Sequence, residues 1–217
     1  MPEHGEETAG ALYQAVQRRM DGPSDPDNAL YCKCSGLFLD ALDNKPDMCS
    51  GALLERAYLW ALACKLRRFD IVPLGGLRVE FQCQAIAPAR IFNSDTSKLM
   101  EGEVGKMKPR TLYYADERRS SHPRADMWFK TDDNRRLILL EIGGTSSTSK
   151  AKDKVQTFTS AVQGSTNISV QGVVLLPNVE AEMESTSGAV TVVTGDSAKA
   201  LLGGLAQLLT WLGDAGE

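Results

Sequence analysis

Apolar residues recur along one stripe between residues 51 and 69, where Leu54, Tyr58, Leu62, Leu66 and Phe69 fall at spacings of four, four, four and three. That period predicts an amphipathic helix, with Ser50 placed to cap it. The period then drops to two. Leu77, Val79, Phe81 and Cys83 alternate with Arg78, Glu80, Gln82 and Gln84, which predicts a half-buried strand over 77–86. Residues 87–108 show no period and read as a loop, and 110–115 as a further short strand. Two strands at 125–131 and 136–142 flank the polar run Asp132-Asp133-Asn134-Arg135, a hairpin signal. Leu137 to Leu140 is apolar at every position, so this strand is covered on both faces. A Gly/Thr/Ser run precedes a helix at 149–162, a buried strand at 172–177, an acidic connection at 179–188, a strand at 189–194 and an amphipathic helix at 196–212.

Mixed helices and strands around a covered centre predict an α/β fold, a mixed central sheet flanked by helices. Residues 8–20 predict a separate helix, ended by the Pro/Gly/Asp linker 21–27. The chain therefore divides into an N-terminal helical or irregular appendage, 1–50, and an α/β domain, 51–217.

Composition narrows the function classes. The 217 residues are 42% hydrophobic and 24% charged, with a net charge of -4, as in ordinary globular proteins. The most apolar stretches, 52–66 and 201–212, are broken by Glu55, Arg56 and Lys65 or by Gly203, Gly204 and Gln207. Neither supplies the roughly 20 clean residues of a bilayer span, so no membrane partner is expected. The acidic N-terminus has no apolar core behind it, unlike a secretory signal. Five cysteines, an odd number, fit free thiols and an intracellular address, cytoplasmic or nuclear. Cys32, Cys34 and Cys49 lack the fourth ligand of a zinc site, because His4 and His122 are remote in sequence. Two histidines and no G-x-S-x-G elbow argue against serine or cysteine nucleophiles.

Charge is unevenly spread. Residues 98–154 carry thirteen Lys or Arg against nine Asp or Glu, while the remainder of the chain carries eleven against nineteen. A basic middle inside acidic flanks suits a protein that visits nucleic acid without living on it.

Hairpin register supplies the sharpest inference. With the turn at 132–135, Thr131 faces Arg136 and paired positions sum to 267, which sets Asp126 opposite Glu141. Two carboxylates about 5 Å apart in a covered sheet repel and lose hydration unless a cation stands between them. Mg²⁺, or Mn²⁺ in its place, is the hard ion that takes carboxylate oxygens and keeps waters for phosphate.

These segments, Arg124-Ala125-Asp126-Met127-Trp128-Phe129, a turn, Leu137-Ile138-Leu139-Leu140-Glu141-Ile142-Gly143, then a helix with Lys150, Lys152, Lys154 and Gln156, resemble the core of the PD-(D/E)XK, restriction-endonuclease-like nuclease superfamily. The resemblance covers about 125 residues and implies an αβββαβ core. It implies Asp126 and Glu141 as metal ligands, Glu55 as a further ligand or water-positioning acid, and Gln156 as a helix polar group of the site. Domains of Crinkler-type effectors and retrotransposon hot-spot proteins look similar, with divergent sites. One departure matters. The family's lysine, two residues past the acid, is Gly143 here, and Ala125 stands for the family's proline. A cation there orients the attacking water and offsets charge on phosphate. Lys150 and Lys154, on one face of the following helix, are the candidate replacements, while Lys152 points nearly opposite.

The run Gly144-Thr145-Ser146-Ser147-Thr148-Ser149-Lys150-Ala151 invites comparison with a phosphate loop, but Ser149 and Ala151 fail two of its four positions. Trp60 and Trp128 read as core rather than as base-stacking platforms. Arg118, Arg119 and Arg124, with Lys106, Lys108 and Arg110, are the candidate phosphate contacts. The expectation is a Mg²⁺-dependent phosphodiesterase acting on nucleic acid, DNA before RNA. The alternative is an inactive module of the same fold that binds nucleic acid or a protein.

Overall fold

The computed structural model describes residues 26–43, 50–68, 71–74, 77–89, 104–115, 125–143, 148–164, 167–179, 185–187 and 189–206. Two helices open it, α1 (Pro26–Asp43) and α2 (Ser50–Arg68). Then come β1 (Ile71–Leu74), β2 (Leu77–Glu80), β3 (Ala85–Ala89), β4 (Thr111–Ala115), β5 (Met127–Lys130) and β6 (Arg136–Ile142). Helix α3 (Thr148–Gln163) leads to β7 (Ser169–Leu176), β8 (Ser185–Ser187) and β9 (Val190–Thr194), and α4 (Gly195–Leu202) continues into a 3-10 turn, Gly203–Ala206.

Strands β1 and β2 form a small hairpin of their own. The other seven make one sheet in the order β3-β4-β5-β6-β7-β9-β8. It is mixed: β3 with β4, β6 with β7 and β7 with β9 are parallel, whereas β5 and β8 run against their neighbours. Helices cover both faces, as an α/β fold with a mixed central sheet requires. On one face Ile138, Leu140, Ile142, Val173 and Leu175 join the apolar stripes of α1, α2 and α4. On the other, Leu137, Leu139, Val174 and Leu176 meet α3 through Ala151, Val155, Phe158 and Val162. Strand β6 is thus buried on both sides, which is why its sequence after Arg136 is apolar at every position but Glu141.

Gly172 lets α3 come close, and Gly143 makes room for Leu176 of β7. A Cβ on Gly172 would stand 2.4 Å from Val155 Cγ1 and 2.8 Å from Thr159 Oγ1. A Cβ on Gly143 would stand 2.4 Å from Leu176 Cδ2. The hairpin tip is fixed by the side chains that predict it. Asp133 Oδ1 accepts the Thr131 hydroxyl at 2.6 Å and the Arg135 N–H at 3.0 Å, and Asn134 takes the left-handed conformation, φ 56°. Those same hydrogen bonds hold the Asp133 carboxyl below its usual range.

Several boundaries differ from the sequence reading. The strand expected over 77–86 is broken at 81–84 and resumes as β3, so the sheet gains a parallel edge strand where a loop is expected. Helix α1 lies inside the 1–50 appendage, yet its Leu30, Cys34, Phe38 and Leu39 belong to the main core. Trp60 packs edge-on to Tyr31 of α1, 5.2 Å between ring centroids, and is core as expected. The helix expected over 8–20 lies outside the described residues. Among the described residues no helix is long and apolar enough to cross a membrane.

The close approach of α3 is testable. Gly172→Ala is expected to cost about 1–3 kcal/mol by overpacking, read as a lower denaturation midpoint. Val155→Ala in the same chain recovers part of that loss, because it empties the space the new methyl needs.

Candidate active site

The chemistry gathers where β5 and β6 run side by side beneath α3. Strand pairing follows the expected sum of 267 from Lys130↔Leu137 to Met127↔Leu140. It stops one residue short of the expected Asp126–Glu141 pair. Asp126 donates its N–H to the carbonyl of Leu140, the residue that already pairs with Met127, at 2.8 Å. This local bulge frees Asp126 from the ladder, a device that re-aims a side chain. The Asp126 carboxylate Oδ2 then accepts the Ile142 N–H at 2.7 Å, a bond that a continued ladder would give to residue 125. Both acids are buried, Asp126 at 4% exposure and Glu141 at 6%.

Glu141 faces α3, since Leu137 and Leu139 on the same side of β6 do so. There Lys154 donates to Glu141 Oε1 and forms an ion pair with it. Glu141 Oε2 is buried and has no hydrogen-bond partner among the described residues. Burial pushes the Glu141 carboxyl up to about 9, the Asp126 and Glu55 charges push the same way, and Lys154 pulls against them through its charge and its hydrogen bond. A buried, unsatisfied carboxylate oxygen is costly, and it is an open position for a cation.

Of the expected site residues, Asp126, Glu141 and Lys154 come together. Glu55 is half-buried in α2 and near enough for its charge to be felt at Glu141. Yet no three or more His, Cys, Asp or Glu side chains among the described residues stand as a group able to hold a metal ion. Two carboxylates and a near third is therefore the donor set. It suits Mg²⁺, which binds through one or two carboxylates and keeps the rest of its positions for water and phosphate oxygens. Gln156 is exposed and lies about 200° around α3 from Lys154, away from the acids. Lys150 starts the same helix, and its side chain lies outside the described residues, as do Arg118, Arg119 and Arg124. Lys106, Lys108 and Arg110 are exposed ahead of β4.

Gly143 explains its own departure from the lysine pattern. It is buried, and its Cβ direction is filled by Leu176, itself fully buried. A lysine there would have to displace core. The phosphate-loop comparison loses ground as well, because Ala151, at the position of the metal-binding hydroxyl, packs into the apolar cluster with Val155, Val174 and Leu176. Among the described residues Cys32, Cys34, Cys64 and Cys83 form no disulfide with one another, and burial first, then the neighbouring Cys64 and Cys83, hold the Cys34 thiol far above its usual range. Cys49 lies outside the described residues.

Sequence reading misses Arg56, whose guanidinium lies 4.7 Å from the centroid of the Tyr114 ring and donates to the Ala115 carbonyl at 3.4 Å. Lysines and arginines inside an amphipathic helix carry no pattern that separates them from solvated ones. No family model matches the chain, and neither the curated proteins nor the solved structures contain a match to it.

The raised Glu141 carboxyl sets a stability slope. Between the ordinary carboxylate range and about 9 the folded state keeps a proton that the unfolded state has released, so metal-free protein loses stability as pH rises across that window. Glu141→Gln keeps the shape and removes the titration. Thermal melts in chelator from pH 5 to 9 are expected to show a falling Tm for wild type and a flatter, higher curve for the variant; parallel curves would contradict this.

Proposed function

We propose that this protein is a metal-dependent phosphodiesterase acting on nucleic acid, DNA before RNA, and that its site is a PD-(D/E)XK-like constellation with the lysine supplied by α3. The contact between Lys154 and Glu141, made beside Asp126, carries this reading. It brings two carboxylates and one ammonium together from β6, the end of β5 and the following helix, while the position two residues past the acid is closed by packing. The element order supports it too: α2, then β4, β5 and β6, then α3 and β7, is the helix, three strands, helix and strand of the resemblance, with β1 to β3 inserted after the first helix.

Asp126 and Glu141 would hold the ion, which supplies charge neutralisation at phosphate and an ionisable water. The chain does the rest. The Ile142 N–H fixes the Asp126 carboxylate in one orientation. Lys154, one third exposed, reaches from the helix surface into the site, where its ammonium can orient the attacking water and neutralise charge on a phosphate oxygen. Glu55, from the opposite helix layer, is the proposed further ligand or water-positioning acid, near enough for its charge to be felt at Glu141. Arg118, Arg119 and Arg124 remain proposed contacts to the nucleic-acid backbone.

A second reading has its own observation. Lys154 already neutralises Glu141 within the protein, as it would in a domain that has kept the fold and lost the metal. Such a domain binds nucleic acid or a protein without cutting.

Cleavage of labelled single- and double-stranded DNA and RNA in Mg²⁺, Mn²⁺ or chelator separates the two. The expected result is metal-dependent cutting that Glu141→Gln and Asp126→Asn abolish and that Lys154→Ala lowers by about 100-fold or more, the scale of one lost transition-state contact. No cutting by wild type with any substrate and ion would leave the binding module.

A further inference from the structure

The register of β4 against β5 sums to 241, as in Tyr113↔Trp128 and Tyr114↔Met127, so Ala115 falls opposite Asp126. Ala115 donates its N–H to the Asp126 carbonyl at 2.9 Å. In a regular ladder Asp126 returns that bond to the Ala115 carbonyl. Here the Asp126 N–H has turned to Leu140, and the Ala115 carbonyl is met instead by Arg56 Nη2, reaching across from α2. The bulge that frees the Asp126 carboxylate also makes the place where a guanidinium docks, directly across the ladder from it.

We propose that Arg56 is a phosphate-binding residue of this site, and that it takes a backbone phosphate of the nucleic acid lying against Asp126 and Glu141. The inference rests on the nuclease reading and adds a second cation to it. The Tyr114 ring fixes the plane of the guanidinium, and the Ala115 carbonyl occupies one of its five N–H donors. Among the described residues no carboxylate pairs with Arg56, although the residue is half-buried. A guanidinium held in plane with donors to spare offers the fork that matches two phosphate oxygens.

Arg56→Gln and Arg56→Lys test this beside wild type, with KM and kcat for a labelled oligonucleotide measured in Mg²⁺ from about 50 to 200 mM salt. Arg56→Gln is expected to raise KM about tenfold or more and to lower the slope of log KM against log salt by about one. Arg56→Lys keeps the charge and the slope but recovers KM only in part, because it loses the fork. It also carries the comparison if Arg56→Gln melts early. A wild type that cuts, with Arg56→Gln matching it in KM and slope, overturns the assignment and leaves the nuclease reading standing. A wild type that never cuts removes the nuclease reading, and anisotropy titration of the same oligonucleotide then decides Arg56: weaker binding with a shallower salt slope keeps the phosphate contact, and equal or absent binding removes it.

Discussion

Glu141 is a carboxylate in a strand that both helix layers cover, and much of the local structure exists to tolerate it. Its neighbours on the α3 side of β6, Leu137 and Leu139, are fully buried, so water cannot solvate the charge from the sheet surface. Lys154 compensates one oxygen, and among the described residues nothing compensates the other. Replacing such a pair by apolar residues of similar volume is often neutral or stabilising, so stability alone does not account for its presence. A group that raises the folding cost, keeps one oxygen open and stands beside a second buried acid has the character of a site rather than of scaffolding. Gly172 serves the same end. It removes a Cβ atom that would hold α3 away from β7, and α3 must lie close for Lys154 to reach Glu141 at all.

The bulge at Asp126 joins the two helix layers at one point. Had β5 kept its ladder, Asp126 would bond back to Ala115, and the Ile142 N–H would go to the backbone of residue 125. Turning one peptide exchanges both bonds. The carboxylate gains a fixed donor from the far end of β6, and the end of β4 acquires a guanidinium from α2. Chemistry from α2, β5, β6 and α3 therefore converges without any long loop having to place it. This favours a rigid site, since sheets and helices hold side chains more closely than loops do.

How much of this the sequence displays follows from which residues carry a pattern. The run 136–142 matches β6 at both ends because apolar residues on both faces leave no other reading, and the Asp-Asp-Asn turn fixed the register that sums to 267. Helix α1 gives only a weak signal although Leu30, Cys34, Phe38 and Ala41 sit at spacings of four, four and three. Tyr31, Cys32 and Leu37 blur that stripe by making the helix apolar nearly all round. The β1 and β3 strands each contain a proline, Pro73 and Pro88, which argues against a strand unless it lies at an edge, and both do. The bulge at Asp126 left no mark in composition or period, so the pairing of the two acids was legible only as far as Met127. Arg56 was invisible for a different reason: its role comes from a carbonyl that loses its ladder partner 59 residues away, and no local pattern records that.

Gly143 and Lys154 together show how one chemical requirement can be met from either of two elements. A cation beside the second acid can come from the strand itself, two residues on, or from the helix that covers it. The strand position demands space on the α3 side, and here Leu176 fills that space, so the helix sits directly on the sheet. Such a helix can no longer admit a lysine from below, yet it is near enough to deliver one from its own surface, and Lys154 lies one turn from Ala151 and one residue before Val155, the two side chains that seat it. Close packing of α3 and the Lys154–Glu141 contact thus go together. A lysine side chain at position 143 would instead have to displace the buried Leu176 side chain of β7, whereas Lys154 reaches Glu141 without disturbing it.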